Sequence, residues 1–258
     1  MNLQLEGKTA LVSGSTGGIG LAIAAALTSE GASVIVNGRT QERVESAAKR
    51  IGAAHGIAAD LATEEGARAL FARFPEVDIL VNNLGIFEPK PFADIPDADW
   101  RRFFEVNVLS GVRLSRHYMA PMMKKNWGRI VFISSESALQ IPVEMIHYGM
   151  TKTAQLAISR GLAETTTGTA VTVNSVLPGP TASEGVNDFV DNLARGKGLK
   201  RDEFEQKFFS EARPSSLLQR FATPEEVASA VAFVCSPLAS AINGTALRVD
   251  GGVVRSIA

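Results

Sequence analysis

The stretch HYGMTK places a phenol at Tyr148 and an ammonium at Lys152. Four residues make about one helical turn, so both side chains fall on one face, close enough for the cation to act on the phenol. A cation beside a phenol favours the phenolate, and a tyrosine drawn toward neutral pH is a general acid or base. The same spacing also serves ordinary surface packing, so the pair alone leaves both readings open. Ser135 precedes the pair; its hydroxyl could steady a reacting oxygen or merely cap a strand end.

A second chemistry is written in SGSTGGIG, with glycines at 14, 18 and 20 where an apolar run gives way to a helical pattern. Such glycines let the backbone approach a pyrophosphate lying on a helix N-terminus, although a plain tight turn would use them too. The next apolar run ends in VIVNGRT. Asn37 and Gly38 offer no acid for a ribose 2′-hydroxyl, and Arg39 follows at once, so a 2′-phosphate would meet a guanidinium and no repulsion. NADP is therefore expected over NAD, the alternative being that Arg39 is a solvated loop residue.

The elements that must hold these groups show a βα rhythm. TALVSG, SVIVNG, Ala54–Ala58, DILVNN, GRIVFISS, AVTVNSV and TALRVDGG read as strands. Helical patterns separate them, including Thr63–Arg73, a long helix from about Asp97, and one opening at Thr223-Pro224 with acids in its first turn. Seven strands in this alternation predict an α/β fold with a doubly wound parallel sheet of Rossmann type, and the 258 residues suit a single domain. Residues 181–213 form a longer insertion that reads as a lid. Its apolar residues cluster at helical spacing in Phe189–Leu193, with Val190, and in Phe204–Phe208, with Leu199 and Phe209 nearby. Arg195, Lys197, Lys200 and Arg201 are interleaved with them, and a core or subunit contact is the alternative to a lid.

Composition removes other classes. A net charge of -1 offers no basic field for nucleic acid. One cysteine allows no internal disulfide, and three scattered histidines match no zinc spacing. The N-terminus lacks a signal-peptide pattern and no run approaches ~18 apolar residues, so a soluble cytoplasmic protein without membrane contact is expected. His147 near Ser134 and Ser135 suggests a hydrolase, but ISSES lacks the glycines of a nucleophile elbow, which leaves His147 as an expected lid or pocket residue.

Taken together, SGSTGGIG, Asp60-Leu61, NNLG at 82–85, Asn107 in EVNVLSG, ISS at 133–135, YGMTK, Pro178-Gly179 and INGTALRVDGG resemble the short-chain dehydrogenase/reductase family over nearly the whole chain. The resemblance implies a tetrad of Asn107, Ser135, Tyr148 and Lys152. The tyrosine would protonate a carbonyl oxygen as hydride arrives, while the lysine lowers its pKa and binds the nicotinamide ribose. Ser135 would hold the substrate oxygen, and Asn107 a water beside Lys152. For the dinucleotide it implies Gly14, Ser15, Thr16, Gly18, Ile19 and Gly20 at the phosphates and Asp60 and Leu61 at the adenine. Asn83 and Gly85 would lie on the adenosine side, with Pro178, Gly179 and Thr181 at the nicotinamide. Ser13 stands where threonine is usual, and Leu84 where alanine is usual, adding bulk beside the expected cofactor site.

The implied activity is NADP(H)-dependent interconversion of a ketone and a secondary alcohol by a homotetramer acting on small molecules. A 3-oxoacyl-carrier-protein reductase, a sugar or polyol dehydrogenase and a non-catalytic NADP sensor are the alternatives. An apolar lid would favour a bulky apolar ketone over a free sugar.

Overall fold

The computed structural model describes residues 2–186, 195–196 and 199–257. In chain order the elements are β1 (Thr9–Val12), α1 (Gly18–Ser29), β2 (Ser33–Gly38), α2 (Gln41–Ile51), β3 (His55–Ala58), α3 (Glu64–Arg73) and β4 (Ile79–Asn82). The second half holds α4 (Asp97–Phe104), α5 (Ser110–Lys125), β5 (Gly128–Ile133), α6 (Ile146–Glu164), β6 (Val171–Pro178), α7 (Arg201–Lys207), α8 (Pro224–Cys235) and β7 (Ala246–Val249). The seven strands form one sheet in the order β3-β2-β1-β4-β5-β6-β7, every pair parallel. Chain order reverses between β1 and β4, which opens the crevice where such sheets take ligands.

β5 and β6 are buried along their whole length, as strands covered on both faces must be. Alternate residues feed opposite layers. Val12, Val36, Val81 and Val131 pack with Leu27 of α1 and Val231 of α8. Leu11, Ile35, Leu80 and Ile130 pack with Leu70 of α3 and with Leu114, Tyr118 and Met122 of α5.

Three boundaries differ from the sequence expectation. Thr63 is the N-cap of α3 and not its first residue, its hydroxyl accepting from Gly66 N at 3.0 Å. The third strand starts at His55. The long helix from Asp97 is interrupted by a π turn at Glu105–Leu109 that carries Asn107. The start of α8 is as read: Thr223 and Glu226 cap each other reciprocally, at 3.2 and 2.8 Å.

Within 181–213, the Phe204–Phe208 group lies on α7 and the π turn Phe208–Ala212 that continues it. Phe204 and Phe209 are buried with Phe221, and Phe208 stacks on Phe221 at 5.2 Å. The Phe189–Leu193 group and Lys197 lie outside the described residues. Among the described residues no helix is long and apolar enough to cross a membrane.

Candidate active site

The glycine-rich loop joins β1 to α1 and is braced from three sides. Gly14 and Gly18 have φ of 61° and 55°, a conformation that disfavours any side chain. A Cβ at Gly20 would lie 2.6 Å from Gly14 O and 2.4 Å from Asn83 Nδ2, so helix and loop touch through that hydrogen. Asn83 donates to Ser13 O and Gly14 O at 2.9 and 3.1 Å, and Ser13 Oγ accepts from Asn83 N and Leu84 N. The hydroxyl at position 13 thus clamps the NNLG turn to β1, a task serine performs as threonine would. Leu84 turns its bulk onto the Leu11–Leu80 layer.

Ser15 is buried, donating to Val12 O at 2.7 Å and accepting from Asn37 N. Asn37 closes the arrangement, accepting from Gly14 N at 3.1 Å and donating to Ala59 O at 3.0 Å. Thr16 abuts Gly38, where a Cβ would lie 2.4 Å from its methyl. The N-terminus of α1 has no side-chain cap, so its first amides remain available to an anion. These residues fit a dinucleotide phosphate in backbone conformation, left-handed where needed, although Glu184 and Ser183 pack over Gly17 and Gly18, where a Cβ would lie 2.6 Å from Glu184 Oε2 and 3.2 Å from Ser183 Cβ.

Arg39 and Asp60 are exposed just beyond β2 and β3. Leu61 is 1% exposed and belongs to the core, so its side chain cannot serve as the adenine contact and only its backbone is left for that role.

The expected catalytic residues converge at the carboxyl ends of β4 and β5. A cavity of about 490 Å³ is lined by Ser135, Tyr148 and Lys152, by Ile19, Asn83 and Gly85, and by Pro178, Gly179 and Thr181. Lys152 Nζ donates to Ile133 O at 2.8 Å and to Gln155 Oε1 at 3.3 Å, and stands 5.6 Å from the Tyr148 ring centre. Asn107 is buried behind Gly85. Its amide exchanges hydrogen bonds with Ile86 backbone at 2.8 and 3.0 Å and donates to Thr151 Oγ1 at 3.0 Å. Because the π turn skips a helical hydrogen bond, Asn107 O accepts from Gln155 Nε2 at 2.5 Å. Lys152 Nζ thus donates to Gln155, and Gln155 in turn to the Asn107 carbonyl, so Gln155 ties the two expected site residues together.

The protein's own groups bias the two side chains in opposite directions. Burial pushes the Tyr148 phenol well above its usual value, and the charge of Glu136 adds to this; hydrogen bonding to Ser135 and the charge of Arg213 oppose it. Burial holds the Lys152 ammonium down at about 7. The cation is spent on the Ile133 carbonyl and Gln155, so it does not lower the phenol; the phenol keeps its proton through the neutral range and is poised to donate it. His147 is not a pocket residue. Its ring is fully buried against Phe103, centroids 4.0 Å apart, on the side of α4, and burial lowers its pKa.

Glu136 and Arg213, which the sequence reading did not single out, also line the cavity. They are 3% and 7% exposed and paired at 3.0 Å. Adjacency to Ser135 was the one available signal for Glu136; nothing in the sequence marks Arg213.

The chain is similar to known proteins along nearly its whole length. Residues 14–254 match a family profile described as enoyl-(acyl carrier protein) reductase. The chain is 55% identical to the uncharacterized oxidoreductase YvaG of Bacillus subtilis over 263 aligned positions, covering all of both. It is 36% identical to the 3-oxoacyl-[acyl-carrier-protein] reductase FabG of Aquifex aeolicus, covering 98% of this chain and all of the other. The L-sorbose reductase of Gluconobacter frateurii, solved with NADPH and L-sorbose, superposes over the whole of both chains with a TM-score of 0.92 at 30% identity.

Proposed function

Because the chain belongs to the short-chain dehydrogenase/reductase family and is an oxidoreductase of that family, we propose that it reduces a ketone to a secondary alcohol with NADPH. The observation that carries this reading is the convergence of Ser135, Tyr148 and Lys152 on one cavity beside the glycine-rich loop. NADPH would supply the hydride. The loop backbone and the α1 N-terminus would take its phosphates, Arg39 the 2′-phosphate, Lys152 the ribose, and the Pro178–Thr181 backbone the nicotinamide. Tyr148, protonated at neutral pH, gives its proton to the carbonyl oxygen, and a water held by Asn107 next to Lys152 would return it from solvent. A cytoplasmic homotetramer is the assembly and location proposed with it.

The far wall of the cavity is apolar, made by Phe87, Met145, Val186, Phe204, Phe208 and Phe221, which supports a bulky apolar ketone. The carboxylates of Glu136 and Glu144 on the same wall support a second reading, a ketose whose hydroxyls they would accept. Acetophenone, L-sorbose and an acetoacetyl thioester, each tested for substrate-dependent loss of NADPH absorbance, separate the apolar ketone, the ketose and the acyl-carrier readings. Tight NADPH binding with no turnover on any of them would favour the sensor.

Two results are expected here. Arg39→Asp removes a charge-assisted contact and adds repulsion, so the ratio of kcat/KM with NADPH to that with NADH drops roughly 10-fold to 100-fold. An unmoved ratio makes Arg39 a surface residue only. Phe208→Ala strips an aromatic face from the cavity and raises KM for acetophenone about tenfold, leaving KM for NADPH nearly in place. Equal changes in both constants would return Phe208 to a purely structural role.

A further inference from the structure

The buried carboxylate beside Ser135 is not required by the reaction proposed above. Glu136 Oε2 accepts from Ser135 Oγ at 2.8 Å and also from the Ser137 hydroxyl. Glu136 Oε1 accepts from Arg213 Nε at 3.0 Å. Ser135 Oγ in turn accepts from Ser137 N at 3.1 Å. A serine has one hydroxyl hydrogen, and here Glu136 takes it. Arg213 closes the π turn that follows α7; its backbone N–H donates to Phe208 O, its Nη1 to Ala212 O, and its guanidinium lies 5.8 Å from the Phe208 ring. A chain of contacts thus runs from the segment over the cavity, through Arg213 and Glu136, to the Ser135 hydroxyl on the cavity wall, which in this arrangement can accept from the cavity but not donate into it.

A buried ion pair is poor value as a stabilising device, since desolvation consumes most of the attraction. Its place on the cavity wall points to a different use. We propose that Glu136 and Arg213 are positioning residues: the carboxylate fixes the hydroxyl of Ser135 and the guanidinium fixes the carboxylate, which places two opposite charges on the cavity wall that Tyr148 also lines. The charged groups around the phenol are Lys152 on α6 itself, Glu136 after β5, Glu144 before α6 and Arg213 after α7. Glu136 and Arg213 act on the phenol with opposite sign. The inference rests on Tyr148 being the acid of the reaction.

The chain has two tyrosines, so protein labelled with carbon-13 at the tyrosine Cζ gives two resonances, which Tyr148→Phe assigns. The titration of Tyr148 is followed with saturating oxidised NADP. In Glu136→Gln it is expected about one pH unit lower, and in Arg213→Met about one unit higher, as a single charge near the phenol requires. The double variant, losing both charges together, returns close to wild type. kcat for the best ketone of the panel falls about tenfold or more in each single variant and recovers in part in the double. A purely structural role would lower kcat without moving the two titrations in opposite directions, and that outcome, or an unmoved titration in Glu136→Gln, overturns the proposal. Glu136→Asp keeps the charge but withdraws it from Ser135, so it should lower kcat with the titration in place; it decides the matter if Glu136→Gln does not fold, and a titration displaced in it counts against the proposal. Turnover retained by Tyr148→Phe would instead defeat the underlying mechanism, whatever Glu136 does.

Discussion

Tyr148→Phe is expected to abolish ketone reduction while leaving the affinity for NADPH nearly unchanged. The substitution deletes one oxygen from the cavity wall and keeps the ring, so the loop, the α1 N-terminus and Lys152 are untouched. General acid catalysis is worth about 10²–10⁴ in rate, and the phenylalanine ring leaves no hydroxyl at this point of the cavity wall. kcat should fall by about that factor, with the NADPH Kd measured by fluorescence within about twofold of wild type. Residual turnover within tenfold of wild type would remove Tyr148 from the chemistry.

Lys152→Met should destroy activity and stabilise the protein. Burial lowers this ammonium from 10.5 to about 7. Below pH 7 the lysine is charged in both folded and unfolded chains, and folding carries the whole cost of burying the charge. Between 7 and 10.5 the unfolded chain binds a proton that the folded chain does not, so stability rises with pH; above 10.5 both forms are neutral and the cost is gone. At ~1.4 kcal/mol per pH unit the ceiling is several kcal/mol. Methionine leaves the Ile133 carbonyl and Gln155 amide without their donor, which offsets roughly 1–3 kcal/mol of that. The net gain near pH 7 is on the order of 2 kcal/mol, or about 5 °C in Tm. Thermal melts of the dinucleotide-free protein at pH 7 and pH 10 check it: the variant melts higher at pH 7, and by pH 10, where under about 1 kcal/mol of charge cost remains against the lost hydrogen bonds, the gap closes or reverses. A variant that melts lower at both would show that the two hydrogen bonds outweigh the buried charge. Dinucleotide affinity should fall as well, because the same ammonium is assigned to the ribose.

How much of this could be read beforehand depended on whether a constraint was local. The strand and helix rhythm was legible because strands such as β5 and β6 are short, β-branched and mostly apolar runs between helical patterns, although their full burial also takes in Arg129 and Asn174. Tyr148 and Lys152 stood out by their one-turn spacing, and the family resemblance added Ser135 and Asn107; Ser135, Tyr148 and Lys152 line one cavity, with Asn107 buried behind it. Burial was not legible. It raises the Tyr148 pKa, places the Leu61 side chain in the core and turns His147 toward Phe103. Long-range partners were hidden for the same reason: Arg213 meets Glu136 across 77 positions of sequence, and Gln155 reaches Asn107 across 48. The π turn at Glu105–Leu109 carries no glycine or proline to announce it.

That turn has a consequence for the evolution of length in this chain. A π turn is an α-helix carrying one residue too many, and each residue advances the helix by about 100°. The extra residue puts α4 and α5 out of phase, so that Phe103 meets the His147 ring while Leu114, Tyr118 and Met122 keep to the sheet. A one-residue deletion here would heal the helix and leave every hydrogen bond within it satisfied, yet it would swing one half by over a quarter of a turn against the other. The loops of this fold can gain or lose residues; this helix, between its two halves, has a fixed count.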